Sequence, residues 1–407
     1  MNDNVAGAVR TIRSVGVVVV NFNGGRMVEQ CVRSLLATDW DPGLEIVVVD
    51  NASTDGSDEV LALVPGVRVV QAGANLGYAV ANNIGLRELR GCDAVALVNP
   101  DAFVTPGWLG PLVAACTGDT DGAVGAACPK IVFEPVFTEV RLSSPVFVPG
   151  GADQRTLGLR VTGVIVDGAD VYDRCEFVDG WSWPEDHARW TTGDARLFVP
   201  VTPSSTSVDV IVEGEPVSRN FQVTERFDVI NNAGNELTPD WYGRDRGFLE
   251  IDRGQYDTAS DVWGWCGAAV LLTRAYLDAT TGFDERFFLY YEDVEWAWRG
   301  RKQGWRYAYV PSSVVRHRHS ATTVQGSALF DHLNQRNRLV VLAMHAPVDV
   351  AASSWVRFGG EVARNVWGEV VDPLLHRRRP HPNTTRRRIA SGVGALKRLP
   401  GAVRSRR

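Results

Sequence analysis

The sequence has 407 residues, 45% of them hydrophobic and 22% charged, which exceeds one ordinary domain and is typical of a soluble globular protein with two or three domains. The formal net charge of −6 conceals an asymmetry, because eleven of the 42 Lys and Arg residues, and no acidic residue, follow Asp372. The sequence up to Asp372 contains the other 31 basic residues and all 48 acidic residues. The sequence therefore has an acidic body and a basic tail.

The cysteines and the apolar segments exclude several classes of protein. Six cysteines are scattered without a C-x-x-C pair, which predicts neither a zinc site nor a disulfide framework and favours reduced, buried thiols in a cytoplasmic protein. The N-terminus lacks the apolar core of a signal peptide, and no apolar run approaches the roughly 18 residues that span a bilayer. We expect a protein that does not cross a membrane.

From Val15 to Phe133, short apolar runs alternate with amphipathic segments, which predicts an α/β fold built from βαβ units on a mostly parallel sheet. The runs are rich in β-branched residues, as strands buried on both faces should be. The predicted strands are Val15–Val20, Leu44–Val49, Val67–Gln71 and Ala94–Val98, and the predicted helices are Met27–Leu36 and Tyr78–Leu89.

The pattern changes at about Glu134, where alternating β segments separated by Pro, Gly and Ser clusters predict an inserted all-β module. Beyond the module, we predict strands at Gly267–Leu272 and Arg306–Pro311, a helix at Glu292–Gly304 closed by its glycine, and a helix at Ser327–Met344. The resulting divisions are the first half of an α/β domain at 14–133, the β-rich module at 134–246, the second half at 247–345 and a helical, basic extension at 346–407.

Polar residues follow three of the predicted strands, at the end of the sheet where open α/β proteins bind ligands. They are Asn21 and Asn23 after the first strand, Asp50 after the second, and Asn99 and Asp101 after the fourth. Turn chemistry explains any one set, but three sets together favour a ligand site. Neither a G-x-G-x-x-G after the first strand nor a P-loop is present, so a nucleotide would be read by Asp50 while Mg²⁺ or Mn²⁺ shields its phosphates.

Several motifs stand in the order seen in family 2 glycosyltransferases of the GT-A fold. The sequence resembles in particular the bacterial rhamnosyl- and galactofuranosyltransferases that build cell-wall and surface polysaccharides. The resemblance covers about Val15–Phe133 and Gly247–Met344, and the β module and the tail lie outside it. The motifs are VVVVNFNGG, VVVDNASTDGS, ANLGYAVANNIGL, LVNPDAF, GAAVLLTRAYL, GFDERFFLYYEDVEWAWRGRKQGWRYAYVP and VVRHRHSAT.

The resemblance implies a GT-A-type nucleotide-sugar-binding mixed sheet flanked by helices, and inverting transfer from a nucleoside-diphosphate sugar to an acceptor hydroxyl. Asp50 would read the base or ribose, with Asn75 and the other sheet-end asparagines completing the donor pocket. Asp101 would bind the Mn²⁺ or Mg²⁺ ion that bridges the two phosphates. Family members often have an acidic residue at the position of Asn99, so the amide here implies weaker metal binding.

The catalytic base is expected in the second half of the α/β domain, because direct displacement at the anomeric carbon needs a carboxylate to take the acceptor proton. Asp293 is the first candidate by its position in the family motif, and the adjacent Glu292 is the second. The alternative is that both are first-turn acids that complement the helix dipole.

His317 and His319 are two residues apart, so on an extended segment both face the same side and could reach a metal or a diphosphate. The alternative is a pair of solvated histidines beside Arg316 and Arg318. The resemblance slightly favours His319 as the ligand, and the sequence does not separate the two.

Tryptophans mark two candidate sugar-binding regions. Trp181, Trp183, Trp190 and Trp241 fall within the predicted module, where they are either sugar-stacking platforms or core residues of a small sandwich. Trp263 and Trp265 lie where related proteins shape the acceptor site, and we predict that they stack against an acceptor sugar.

The basic tail predicts attachment to an anionic membrane surface, at roughly 1 kcal/mol per charge. The acidic body and the lack of a nucleic-acid-binding fold argue against DNA or RNA as the partner. A disordered, solvated tail without a partner is the alternative.

The sequence thus predicts a metal-dependent inverting glycosyltransferase that uses a donor of the dTDP-rhamnose or UDP-galactofuranose class. The acceptor is a cell-envelope glycan or a polyprenyl-linked glycan, and the location is the cytoplasm, including the inner face of the plasma membrane. A catalytically inactive sugar-nucleotide- or glycan-binding protein is the alternative. A nucleotidyltransferase fits less well, because the segment Asn21–Gln30 after the first strand has only two glycines and one arginine.

Overall fold

The computed structural model describes residues 11–119, 121–150, 153–185, 187–215, 217–318, 327–377 and 379–405. These residues form two compact units. The first unit takes its residues from 1–131, 232–246 and 257–407, and the second from 132–231 and 247–256. Residues 232–246, which the sequence pattern placed in the β module, therefore belong to the first unit.

Strands and helices alternate along the first part of the chain. Most lie within two residues of the predicted bounds, and β1 is buried along all of its length, as its run of valines requires. The elements are β1 (Val15–Asn21), α1 (Gly25–Leu36), β2 (Leu44–Asp50), α2 (Ser57–Ala62), β3 (Val67–Gln71), α3 (Tyr78–Glu88), β4 (Ala94–Val98), β5 (Ala102–Val104), α4 (Leu109–Thr117) and β6 (Val124–Phe133).

The next part of the chain consists mainly of strands, and those of the second unit pair antiparallel around β11 and β8. Alternate residues of the strand at 207–212, namely Val208, Val210 and Val212, face the core of this unit. The elements are β7 (Phe137–Leu142), β8 (Arg160–Val166), β9 (Ala169–Asp170), β10 (Glu176–Trp181), β11 (Arg189–Pro200), β12 (Ser207–Val212), β13 (Arg219–Gln222) and β14 (Ile230–Asn232).

The last part of the chain completes the first unit. The helix predicted at Glu292 ends as expected, because Gly304 has a φ of +93° and its N–H bonds the carbonyl of Arg301. The elements are β15 (Asn235–Leu237), β16 (Gly243–Asp245), β17 (Ser260–Val262), β18 (Ala269–Thr273), α5 (Arg274–Thr280), α6 (Glu292–Lys302), β19 (Arg306–His317), α7 (Ala328–His345), α8 (Val348–Val366), α9 (Asp372–Leu375) and α10 (Asn383–Arg404).

The main sheet has the strand order β17-β19-β6-β18-β4-β1-β2-β3. Strands β3, β2, β1 and β4 are parallel, whereas β18 runs antiparallel between β4 and β6, and β5 pairs antiparallel with β19. Because β1 has β2 on one side and β4 on the other, the carboxyl ends of these strands border a crevice. The mixed sheet flanked by helices confirms the predicted α/β fold class.

The described part of the basic tail is a packed helix, which differs from the disordered alternative. Helix α10 lies along α7 and buries Ala395 and Ala402. Gly392 allows the ring of Phe358 on α8 to approach, because a Cβ atom there would lie 2.9 Å from the ring. In the described part of the chain, none of the helices combines the length and the apolar character that a bilayer span requires.

Candidate active site

Asn21 and Asp50 form a buried polar pair at the ends of β1 and β2, where they are opposite each other in the parallel register. The Nδ2 of Asn21 donates to the Oδ1 of Asp50 at 2.8 Å and to the hydroxyl of Ser57 at 2.8 Å. The Oδ2 of Asp50 accepts from the backbone N–H of Ser53 at 3.0 Å. Both side chains are fully buried, so in this structure they fix the loop after β2 and do not present a polar group to the crevice.

Asn23 and Asn75 are exposed and connect the loops that follow the parallel strands. The Oδ1 of Asn23 accepts from the backbone N–H of Thr54 at 2.7 Å. The Oδ1 of Asn75 accepts from the Nδ2 of Asn51 at 3.1 Å, and the Oδ1 of Asn51 in turn accepts from the N–H of Leu76 at 2.9 Å. Asn51 directly follows Asp50 at the end of the second strand, and its buried amide joins two of these loops.

Asn99, Asp101 and His317 lie together beyond the end of β4. The Nε2 of His317 is 3.2 Å from the Oδ1 of Asp101 and 3.5 Å from the Nδ2 of Asn99, although Asp101 and His317 are 216 residues apart in sequence. The pairing of β5 with β19 brings them together by placing His317 opposite Ala102. The side chains of Asp101 and His317 are each 7% exposed. His319 lies outside the described residues.

This group fits a hard divalent cation in its donor chemistry. Among the described residues, the Oδ1 of Asn99 is buried without a hydrogen-bond partner, beside the carboxylate of Asp101 and the imidazole of His317. Magnesium and manganese are commonly held by one or two carboxylates together with substrate phosphates. Among the described residues, no cluster of three or more His, Cys, Asp or Glu side chains is close enough to hold a metal. The protein side chains described here would therefore form only part of a metal's coordination shell.

Glu292 and Asp293 open helix α6 in different surroundings. The Oδ1 of Asp293 accepts from the N–H of Val294 at 2.7 Å, its Oδ2 accepts from the N–H of Gly267 at 3.1 Å, and the residue as a whole is partly exposed. Glu292 is buried, and its Oε2 has no hydrogen-bond partner in the described structure. Burial, together with the charge of Asp293, raises the pKa of Glu292 to about 8. Burial also raises the pKa of Asp293, against the effect of the two backbone donors.

The backbone before α6 is strained. Tyr290 and Tyr291 have φ angles of +67° and +68°, in the left-handed region that residues with a Cβ atom rarely adopt. The Nδ2 of Asn337 on α7 donates to the carbonyls of Leu289 at 2.8 Å and Tyr290 at 2.6 Å. Such strain persists where the surrounding contacts fix the backbone, and it occurs often at active sites.

Asp245, on β16, is a site residue that sequence reasoning missed. Its carboxylate accepts a hydrogen bond from the buried Asn232, and it lies close enough to Asp293 and His317 for their charges to act on its pKa. Burial raises the pKa of Asp245 to about 6. The sequence signal was weak, because Asn232, the partner of Asp245, lies in the segment Asn231–Asn235, which has the pattern of an ordinary turn.

The tryptophan predictions need correction. Trp265 is fully buried, its ring centre is 5.2 Å from that of Trp296, and its Nε1 is 3.4 Å from the hydroxyl of Tyr276, so the prediction that it stacks on an acceptor sugar is wrong. Trp263 is partly exposed and packs edge-on against Trp298. Trp241 belongs to the first unit and stacks on the ring of Trp298, with the ring centres 5.7 Å apart and an angle of 12° between the ring planes.

Residues 16–167 match the family described as "Glycosyl transferase family 2". Over 80% of its length the chain is 25% identical to the N-acetylglucosaminyl-diphospho-decaprenol L-rhamnosyltransferase of Mycobacterium tuberculosis (strains CDC 1551 / Oshkosh and ATCC 25618 / H37Rv), of which it covers 83%. Over 24% of its length it is 31% identical to the uncharacterized glycosyltransferase YibD of Escherichia coli (strain K12), of which it covers 29%. These sequence matches confirm the resemblance carried by the motifs.

Two solved structures match the chain at low sequence identity. GalNAc-T7 with UDP, GalNAc and Mn²⁺ matches with a TM-score of 0.49 and 14% identity, over 84% of this chain and 48% of that chain. The mannosyltransferase PcManGT from Pyrobaculum calidifontis, in complex with GDP-Man and Mn²⁺, matches with a TM-score of 0.41 and 15% identity, over 98% of this chain and 90% of that chain.

Proposed function

We propose that this chain, which is a family 2 glycosyltransferase, moves a sugar from a nucleoside-diphosphate sugar to a hydroxyl of a lipid-linked glycan, with inversion at the anomeric carbon. The observation that supports this is that Asp293 and His317, which contacts Asp101, both lie close enough to Asp245 for their charges to act on it, although they come from distant segments. A partial metal shell and a carboxylate base are the two protein components that such a transfer needs.

In this mechanism Asp293 is the base, because it is the partly exposed member of the carboxylate pair. It takes the proton of the acceptor hydroxyl as the hydroxyl oxygen attacks the anomeric carbon, while the bond from that carbon to the diphosphate breaks on the opposite face. Glu292 keeps its proton in its buried environment. Asp101 and His317 would hold Mn²⁺ or Mg²⁺, with Asn99 beside them, and a bound ion would offset the negative charge of the nucleoside-diphosphate leaving group.

The first donor we propose is dTDP-rhamnose, and the second is UDP-galactofuranose. The likeness to a rhamnosyltransferase named for a diphospho-decaprenol acceptor supports the first donor and a polyprenyl-diphosphate-linked acceptor. Thermal shift with a panel of dTDP-, UDP- and GDP-sugars, with and without Mn²⁺, tests the donor. The donor that raises the Tm most is then tested for transfer of its sugar to N-acetylglucosaminyl-diphospho-polyprenol, which tests the acceptor. Absence of transfer from every donor would contradict the proposal.

We also propose that the protein attaches to the inner face of the plasma membrane through α10. The helix exposes a row of apolar side chains at helical spacing, and the basic residues Arg386, Lys397 and Arg404 lie along one edge of that row. The row, whose side chains are 45% to 54% exposed, consists of Ile389, Val393, Leu396 and Val403. An apolar row beside basic side chains fits an anionic lipid surface.

Flotation with phosphatidylglycerol vesicles tests this attachment. We expect the double variant Val393→Gln/Leu396→Gln to float less than the wild type, and Leu63→Gln, an exposed apolar residue outside α10, to float like the wild type. Point variants suit this test better than truncation, because α10 packs on α7 and its removal would uncover α7. Equal flotation of the double variant and the wild type would contradict the proposal.

A further inference from the structure

Two buried asparagines link two carboxylates in the first unit. The Nδ2 of Asn232 donates both to Asp245 and, at 2.7 Å, to the Oδ1 of Asn235. The Nδ2 of Asn235 donates to the carbonyl of Trp265 at 2.8 Å, and its side chain lies close enough to Asp293 to lower the pKa of that carboxyl. Asp245, Asn232 and Asn235 therefore form a hydrogen-bonded chain that ends beside Asp293.

The chain is anchored at several points of the fold. Asn235 is opposite Asp245 in the register of the β15–β16 hairpin, and the N–H of Gly234 donates to the Oδ1 of Asn232 at 2.7 Å. Asn232 and Asn235 are 1% and 4% exposed, so few alternative arrangements are open to them. The separation of the two carboxylates is consequently fixed by the fold.

Holding two carboxylates close together in a partly desolvated place costs free energy, because their negative charges repel. A network that served only to stiffen the hairpin would need neutral amides alone, and Asn232 and Asn235 already supply them. Asp293 and Asp245 are both partly exposed, whereas the asparagines between them are buried. Asp293 and Asp245 are therefore the residues of this network that a ligand approaching from solvent would meet first.

We propose that Asp245 accepts a hydrogen bond from an acceptor hydroxyl next to the one that reacts, and so determines which hydroxyl is glycosylated. Sugar hydroxyls are strong donors to carboxylates, and two carboxylates at a fixed separation suit a pair of hydroxyls on one ring. Asp293 takes the proton of the reacting hydroxyl, Asp245 holds the neighbouring one, and Asn232 is a positioning residue for Asp245. This inference rests on the proposed glycosyl transfer.

The first test is binding, which needs no turnover. Octyl N-acetyl-β-glucosaminide is titrated in the presence of dTDP and followed by saturation-transfer NMR. We expect Asp245→Asn to weaken binding of this probe by about 10- to 100-fold, the usual effect of losing a hydrogen bond to a charged group. The affinity for dTDP should stay within about twofold of wild type, because Asp245 does not face the nucleotide in this proposal. Asp278→Asn, which changes an exposed acid of the same unit, is the matched control.

The second test separates positioning from stability. Asn232→Ala should weaken the same probe, and Asp245→Asn/Asn232→Ala should be no weaker than Asp245→Asn alone, since both changes act on one contact. In the transfer reaction, Asp245→Asn should raise the acceptor KM and yield a mixture of linkages, which a merely structural role would not produce.

The outcomes are distinct. Unchanged probe binding by Asp245→Asn, additive effects in the double variant, or no binding of the probe by the wild type would each overturn the inference. Binding that depends on Asp245 in a protein that transfers nothing would support the contact between Asp245 and the sugar hydroxyl, and would overturn the proposed function together with the choice of reacting hydroxyl.

Discussion

Glu292 and Asp293 are neighbours in sequence, yet the fold gives them different properties. Asp293 accepts two backbone hydrogen bonds and keeps contact with solvent, whereas Glu292 is buried with an oxygen that lacks a partner among the described residues. Two carboxyl groups in unequal environments divide the proton between them unequally. These surroundings support the proposal that Asp293 is the base, in addition to its place in a motif.

Replacing Asp293 should separate chemistry from binding. We expect Asp293→Asn to lower kcat by about 10²- to 10⁴-fold, because the amide cannot take the acceptor proton. Glu292→Gln should retain most activity, since glutamine resembles the protonated glutamic acid. Initial rates and calorimetric titration of dTDP measure the two effects, and unchanged turnover of Asp293→Asn would show that the base is another group.

Glu292 should also make stability depend on pH. Its pKa in the folded protein is about 8, above the value of 4.5 for the free side chain, so the folded state binds the proton more tightly than the unfolded state. This contribution is present in full below about pH 4.5 and is lost as the pH rises towards 8. We expect the Tm of the wild type to fall between pH 5 and pH 8.5, and Glu292→Gln to show a smaller fall. Parallel curves would contradict this assignment.

The Asp101–His317 pair should bind metal weakly by itself, because the described side chains supply only part of a coordination shell. We expect EPR titration to show tight Mn²⁺ binding only when dTDP or UDP is present, and His317→Ala to weaken that binding at least about tenfold. Tight binding of Mn²⁺ to the protein without nucleotide, lost in His317→Ala, would show that the shell is complete without a diphosphate.

At the scale of elements, helices α6 and α7 fix the loop Leu289–Tyr291, which precedes Glu292 and Asp293. The Oε1 of Glu295 on α6 lies 3.0 Å from the Nε2 of His345 on α7, and Arg299 forms an ion pair with the same carboxylate at 3.0 Å. Burial tends to raise the pKa of Glu295, but these two partners outweigh it and the pKa is lowered. A buried carboxylate kept ionised by two partners fixes the relative position of the two helices, and therefore of the loop that Asn337 holds.

Asn337 should affect both stability and turnover. Asn337→Ala removes the donor to the carbonyls of Leu289 and Tyr290, which we expect to cost about 1–3 kcal/mol of unfolding free energy. The left-handed tyrosines would relax and move Asp293, so kcat should fall while dTDP affinity is retained. Asn334→Ala, which removes a contact within α7 alone, is the control. Equal kcat values for Asn337→Ala and Asn334→Ala would show that the conformation of the loop does not affect turnover.

The elements that the sequence predicted well are those decided locally. The valine-rich run of β1 and the glycine that follows α6 carry their own conformational information, so their bounds were close. Strand β19 was predicted to end at Pro311 but continues to His317, because its last residues pair with β5. That pairing joins distant parts of the chain and has no local signature.

At the scale of the whole molecule, each unit encloses an apolar core of its own. The first core contains the valines of β1 and β2, and the second contains alternate residues of β8 and β12. Asp101, Asp245, Asp293 and His317 all belong to the first unit. A nucleotide should therefore stabilise the first unit selectively.

Calorimetry should show two unfolding transitions, of which dTDP raises only one. Val210→Ala, in the core of the second unit, should destabilise by roughly 2 kcal/mol and lower only the transition that dTDP leaves unchanged. A single transition that responds to both changes would show that the chain unfolds as one cooperative body.

The site was predictable only in part. Motifs made Asp101, Asp293 and the two histidines His317 and His319 candidates, but the contact between Asp101 and His317 depends on the pairing of remote segments. Asp245 was missed because its importance comes from contact with Asn232. Trp265 was misassigned because the sequence does not distinguish a core tryptophan from one that stacks on a sugar. The packing of Trp296 against Trp265 shows that Trp265 is a core residue.

The antiparallel insertion of β18 between β4 and β6 sets the order in which this protein can be completed during synthesis. When β4 and β6 have left the ribosome, each has an unpaired edge facing a vacant slot, and the slot stays open until Ala269–Thr273 emerges. Apolar strands with open edges bind other nascent chains readily. The intervening residues of the second unit must therefore be translated while the first sheet is unfinished, which makes this interval the time when a chaperone would be most useful.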